Sequence, residues 1–110
     1  METKRLIQAT CPECRGPLNE SDDNGLREYT CLVGHRYSAR SLLEAHSETQ
    51  EKALWAAVVA LEEAAELVSA VAPEFSPAVV RRLEQQVEGK LEAARDIRRI
   101  LEGLEPFQFE

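Results

Sequence analysis

The chain has 110 residues, of which 30% are charged and only 5% are aromatic, and its formal net charge is −7. This length allows one modest domain, or a small module with an extension. Residues 1–37 carry a net charge of −1 and residues 38–110 a net charge of −6. Neither part is basic, which disfavours nucleic-acid binding because that binding draws its affinity from a basic surface.

Neither a secretory leader nor a membrane span is expected from the sequence. The N-terminal residues lack the apolar segment of a signal peptide. The longest apolar run, residues 53–61, is about half of the ~18 residues that a transmembrane helix needs. We therefore expect a soluble, cytoplasmic protein.

All three cysteines and one of the two histidines lie between residues 11 and 35. Two residues separate Cys11 from Cys14, and three separate Cys31 from His35. Two close pairs of soft ligands, with enough chain between them for one hairpin, are typical of a tetrahedral zinc site. Four protein ligands leave no open position on the metal. The expected cofactor is therefore a structural Zn²⁺, and the site is not catalytic.

Other interpretations of these residues are less favourable. A disulfide framework needs an even number of cysteines and an oxidising compartment. A redox Cys-x-x-Cys motif is followed by a helix, which Gly16-Pro17 disfavours here. Another metal or free thiols are the remaining alternatives. His46 is the alternative histidine ligand, although a lone helical histidine is usually not a ligand.

The cysteine segment is expected to form a small ribbon of strands. Residues 1–10 form a strand that leads into the first cysteine pair. A hairpin follows, with a turn at residues 21–25 in which Asn-Gly is the strongest signal. Gly16 and Gly34 are expected to adopt a positive φ beside the ligands. The predicted first domain is a Cys3His zinc ribbon over residues 1–37.

Two long helices are expected after the ribbon. Ser38 is a favourable N-cap, and the chain then contains no proline or glycine until residue 73. The first helix is therefore predicted at residues 39–71. The second is predicted at about residues 77–104, because Ser76 is a favourable N-cap and a proline suits the first helical position.

Each predicted helix carries a single apolar stripe with steps of three and four residues. In the first helix the stripe consists of Leu54, Ala57, Val58, Leu61, Ala64, Ala65, Val68 and Val71. In the second it consists of Val80, Leu83, Val87, Leu91, Ala94, Ile97, Leu101 and Leu104. Two long stripes joined by a short connection indicate an antiparallel hairpin over residues 38–110. The expected fold class is α+β.

The first helix also has a segment that is apolar on every side. Residues 53–61 cover about two and a half turns, whereas one partner helix covers a single stripe. We predict an interaction surface here, formed by Leu54, Trp55, Val58 and Val59. The expected partner is a second copy of the chain in a homodimeric four-helix bundle, or else a helix of a signalling protein.

The order of the motifs resembles a known family. Cys-Pro-Glu-Cys-Arg-Gly-Pro-Leu, Tyr-Thr-Cys-Leu-Val-Gly-His-Arg-Tyr-Ser and Glu-Lys-Ala-Leu-Trp-Ala-Ala follow one another between Cys11 and Leu67. This is similar to the zinc-ribbon-plus-helix module at the C-terminus of some bacterial proteins of the chemotaxis methylesterase type. The resemblance implies the same four metal ligands, a role for Trp55 and a link to chemotaxis or two-component signalling. It implies no esterase activity, because the Gly-x-Ser-x-Gly motif and the esterase domain have no counterpart here.

The sequence therefore predicts a non-enzymatic, zinc-binding module for protein–protein interaction. The alternative is a nucleic-acid-binding zinc ribbon with a helical dimerisation arm. An enzyme is disfavoured because no Ser/His or paired-carboxylate grouping is recognisable in the sequence.

Overall fold

The computed structural model describes residues 3–110, apart from the side chains of Thr3 and Asp23. Within these residues the chain forms four strands followed by two long helices. They are β1 (Thr3–Thr10), β2 (Pro17–Asp23), β3 (Leu26–Cys31), β4 (Arg36–Tyr37), α1 (Ala39–Val71) and α2 (Pro77–Gly103), with one 3-10 turn at Ala72–Glu74. The predicted α+β class is confirmed.

The strands form an antiparallel meander in the order β1-β2-β3-β4. Asn24 and Gly25 join β2 to β3 with φ values of 55° and 84°, as in the tight hairpin turns that favour Asn-Gly. The predicted turn was too long, because two residues reverse the chain and β2 continues to Asp23. The N–H of Gly25 also donates to Asp22 Oδ1 at 3.0 Å. The two-residue strand β4 was not predicted.

The core of the ribbon is built around two of the cysteines. Cys11, Leu18, Cys31 and Tyr37 form its buried cluster, and half-buried side chains pack against it; these are Ile7, Tyr29, Leu42 and Ala45. Leu42 and Ala45 belong to α1, so the first turns of this helix contribute to the ribbon core. The hydroxyl of Thr49 lies 3.0 Å from the carbonyl of Ala45 and 3.3 Å from the carbonyl of Pro12, and it donates to one of them at a time.

The chain groups into two compact units. The first ends at Gln50 and includes Pro106–Glu110, and the second is Glu51–Glu105. The predicted boundary after residue 37 separates strands from helices, whereas the two compact units divide inside α1. We refer to these parts below as the ribbon unit and the hairpin unit.

Both predicted helix caps are confirmed. The hydroxyl of Ser38 accepts the N–H of Ser41 at 3.1 Å, and that of Ser76 accepts the N–H of Val79 at 3.3 Å. Each of these bonds satisfies a donor that has no partner inside the helix. The local sequence therefore determines where the helices begin.

The hairpin unit consists of α1 from Glu51 onwards and of α2, packed antiparallel. Val58 is fully buried in α1, and Val87 and Ala94 are buried in α2. Glu62 pairs with Arg98, and its carboxylate accepts from the guanidinium at 2.9, 3.2 and 3.3 Å. Farther along α1, the two helices line a shallow groove of about 400 Å³. The apolar stripes therefore meet as expected, but they bury few large side chains.

Candidate metal centre

The structure brings the four predicted ligands together. Their ligand atoms all lie within 4.8 Å of one another. Cys14 Sγ is 3.6 Å from Cys31 Sγ, and His35 Nδ1 is 3.5 Å from Cys11 Sγ and 3.2 Å from Cys31 Sγ. A tetrahedron with zinc–sulfur bonds of about 2.3 Å places its ligand atoms roughly 3.5–3.8 Å apart. The four residues therefore lie close enough together to hold one metal ion.

The first two ligands lie on a tight turn between β1 and β2. The N–H of Cys11 donates to the carbonyl of Gly16 at 2.7 Å, and the N–H of Arg15 donates to the carbonyl of Cys11 at 2.8 Å. The positive φ of this turn falls on Arg15, at 65°. The prediction for Gly16 was therefore wrong. A Cβ on Gly16 would lie 3.4 Å from Cys14 Sγ, so a glycine here leaves the sulfur uncrowded.

Of the other two predicted ligands, Cys31 is the last residue of β3, and His35 lies on the turn between β3 and β4. The N–H of Cys31 donates to the carbonyl of His35, and the N–H of Gly34 donates to the carbonyl of Cys31, both at 3.2 Å. Gly34 has a φ of 112°, which confirms the positive φ predicted there. The N–H of His35 also donates to Cys31 Sγ at 3.3 Å. This turn therefore places Nδ1 of His35 beside the sulfurs.

The backbone of these turns favours thiolates at two of the three cysteines. Burial raises the pKa of Cys31, but the N–H groups of His35 and Gly34 stabilise its thiolate and the net effect lowers the pKa to about 6. Burial likewise raises the pKa of Cys11, and backbone N–H groups together with the Tyr37 hydroxyl lower it further than burial raises it.

Cys14 behaves differently from the other two cysteines. The N–H of Gly16 lowers the pKa of Cys14, but burial and the neighbouring sulfurs together raise it above its ordinary value. Zinc binds the thiolate form of cysteine and releases the proton of any thiol that it ligates. Zinc binding here would therefore displace a proton from Cys14.

Two residues that were not predicted contact the ligands. Glu13 Oε2 lies 3.0 Å from His35 Nε2, on the side of the ring away from the sulfurs. The hydroxyl of Tyr37 donates to Glu13 Oε1 at 2.9 Å and lies 3.5 Å from Cys11 Sγ. Contact with Cys31 raises the pKa of His35, burial lowers it, and Cys11 and Glu13 raise it further, so the net shift is upward. Burial raises the pKa of Tyr37, as do its contacts with Cys11 and Glu13, so this hydroxyl stays neutral.

The predicted interaction surface is only partly exposed: some of its side chains face solvent, and one lies in the hairpin core. Trp55 is 46% exposed and Val59 is 51% exposed, and the Arg98 guanidinium lies 5.3 Å from the Trp55 ring. Leu54 is half-buried. Val58 is fully buried between the helices, because it belongs to the stripe that faces α2. Val58 is therefore part of the hairpin core and not of an exposed surface.

His46, the alternative histidine, is exposed on α1 and lies outside the ligand group.

Among residues 3–110, no helix combines the length and the hydrophobicity that a bilayer crossing requires. Comparisons with models of protein families, with curated proteins and with solved structures found no match. The resemblance to the methylesterase-type module therefore depends on the sequence motifs alone.

Proposed function

We propose that the chain is a non-enzymatic module for protein–protein interaction, in which one structural zinc ion stabilises the ribbon unit. The observation that supports the metal in this proposal is the group of three sulfurs and one imidazole nitrogen that all lie within 4.8 Å of one another. Thiolate and imidazole ligands favour zinc over magnesium or calcium, which prefer oxygen ligands.

A structural role follows from the composition of the ribbon core. Of its four buried residues, Cys11 and Cys31 are themselves ligands, and Tyr37 touches Cys11 through its hydroxyl. The metal would therefore occupy the position of a core side chain. Four protein ligands also close the coordination shell, so no site remains for an activated water. Zinc binding supplies about 10 kcal/mol in such small units.

Replacing the ligand histidine tests the proposed site. We expect His35→Ala to weaken zinc affinity by more than the roughly 10- to 100-fold that the loss of an outer-shell partner costs, whereas His46→Ala should leave the affinity unchanged. A competition titration of the full chain against a chromophoric zinc chelator measures both variants. The reverse order of effects would assign the site to His46, and the absence of zinc binding by the unmodified chain would refute the metal centre.

For the interaction partner we propose a second copy of the chain, paired through the hairpin unit. Large apolar side chains of this unit are left exposed; they include Trp55, Val59, Leu67, Val71, Ile100 and Leu104. A second hairpin packed on this face would cover these side chains.

The charges of the two helices favour a second copy as that partner. From Glu51 to Val71, α1 carries four acidic residues and one basic residue, whereas α2 carries five acidic and six basic residues. An interface between α1 of one copy, with a net charge of −3 over this segment, and α2 of the other, with a net charge of +1, therefore pairs helices of opposite net charge. A four-helix bundle with this pairing covers the exposed faces of both hairpins. A signalling protein, as the resemblance implies, is the alternative occupant.

The nucleic-acid alternative is less well supported by the surface of the ribbon. Arg5 lies 3.0 Å from Glu20, and Arg27 lies 3.5 Å from the same carboxylate. Arg36 lies 3.8 Å from Glu28. These paired charges do not form the basic face that phosphates require. We expect no tight retention of duplex DNA or of single-stranded RNA at low salt, and tight retention that falls steeply with salt would favour the alternative.

A further inference from the structure

We infer that Glu13 is a positioning residue for the metal centre: it holds the His35 ring with Nδ1 towards the metal, and Tyr37 holds Glu13. This inference rests on the proposed function, because it assigns a role around the same zinc ion. Glu13 lies in the Cys-Pro-Glu-Cys turn between β1 and β2, whereas His35 lies in the turn between β3 and β4. A residue of the first turn would therefore orient a ligand of the second.

The two nitrogens of the His35 ring face different partners. Nδ1 lies within 3.5 Å of two sulfurs, and Nε2 lies 3.0 Å from Glu13 Oε2. A neutral imidazole that binds a metal through one nitrogen carries its proton on the other. With zinc on Nδ1, the Nε2–H would donate to the Glu13 carboxylate. This bond fixes the ring and makes Nδ1 a stronger donor to the metal.

Glu13 is itself held in place from the other side. The Tyr37 hydroxyl donates to its second oxygen at 2.9 Å, and Tyr37 is only 7% exposed in the ribbon core. A buried ring that packs against its neighbours loses little rotational freedom when it makes such a bond. Glu13, whose side chain is 57% exposed, therefore gains a defined orientation from a rigid neighbour.

The negative charge of Glu13 reduces the metal affinity that its hydrogen bond to His35 provides, but only weakly. Three thiolates and one Zn²⁺ already carry a net charge of −1, so an added carboxylate repels the centre. The carboxylate is more than half exposed to solvent, and water screens that repulsion strongly. We therefore expect the hydrogen bond to have the larger effect. Loss of a partner that orients a metal-bound histidine typically lowers metal affinity 10- to 100-fold.

Affinity measurements on the full chain test this inference. We expect Glu13→Ala to weaken zinc binding by about 10- to 100-fold, and Glu13→Gln to weaken it less because an acceptor oxygen remains. Tyr37→Phe should also weaken zinc binding less than Glu13→Ala does. Glu28→Ala is the matched control, because Glu28 is a carboxylate of the same ribbon that pairs with Arg36 and not with a ligand.

A second measurement separates positioning from a general loss of stability. In the zinc-loaded protein, long-range ¹H–¹⁵N correlation of the His35 ring should show a proton on Nε2 that exchanges slowly. In Glu13→Ala the same proton should exchange rapidly with water, and Glu13→Gln should restore part of its protection. The inference would be overturned if Glu13→Ala bound zinc as tightly as the unmodified chain and protected the Nε2 proton equally well. A proton on Nδ1 in the zinc-loaded, unmodified chain would also overturn it. Failure of the unmodified chain to bind zinc would instead refute the metal centre itself.

Discussion

Removal of the metal should unfold the ribbon unit while much of the far-UV helical signal remains. The buried core of the ribbon contains two of the proposed ligands, so loss of the proposed metal would leave those sulfurs without their partner. The lost binding energy of about 10 kcal/mol is as large as the whole stability of a typical domain. The hairpin unit has its own buried residues, Val58, Val87 and Ala94. A chelator, or the variant Cys31→Ser, should therefore affect the two units unequally.

The measurement combines circular dichroism with amide NMR spectra recorded before and after chelation. We expect the dispersed amide signals of β1 to β4 to collapse towards random-coil positions, and the signals of α2 to persist. Thr30→Ser is a matched control for Cys31→Ser, since Thr30 precedes the ligand in β3 and binds no metal. Equal loss of strand and helix signals would show that the two units do not fold independently.

Trp55→Glu should convert the proposed dimer into monomers. Trp55 is 46% exposed on the hairpin unit, beside the equally exposed Val59. In the proposed bundle, the substitution would place a carboxylate among apolar side chains of the second copy, where an unpaired charge is strongly unfavourable. Light scattering should therefore give a mass near 12.3 kDa for the variant and twice that mass for the unmodified chain.

Leu32→Glu is the matched control for this experiment. Leu32 is 82% exposed, but it lies in the turn between β3 and β4, outside the proposed interface. The control should therefore remain dimeric, and both variants should retain zinc. A monomeric mass for the unmodified chain would contradict the homodimer and would leave a different protein as the partner of the hairpin.

Much of the fold could be predicted because its signals are local. Ser38 and Ser76 mark helix starts through bonds that span three residues, and the apolar stripes follow from helical periodicity. The grouping of the four ligands was predictable for a similar reason, since each pair lies on one tight turn. The two turns that carry the ligands are then brought together by a single hairpin, formed by β2 and β3.

The features that were missed depend on contacts between residues that are far apart in the sequence. Glu13 and Tyr37 meet only after the meander has closed, and each looks like an ordinary surface or core residue by itself. The two-residue strand β4 is too short to show a pattern. The turn was overestimated because Ser21, Asp22 and Asp23 are polar, whereas pairing with β1 and β3 keeps the backbone of β2 extended. Val58 was predicted in both the apolar stripe and the interaction surface, and packing places it in the stripe.

The sequential order of the strands has a consequence for assembly during translation. Each strand pairs with its neighbour in the chain, so all four ligands and Leu42 are synthesised before the first residue of α2. At about 5–20 residues per second, several seconds separate the synthesis of β4 from that of the last residue of α2. Sheets with such local pairing fold within this time. In the proposed zinc-binding dimer, metal capture on the ribosome would therefore precede subunit association, and a zinc shortage would affect the nascent chain before it meets a second copy.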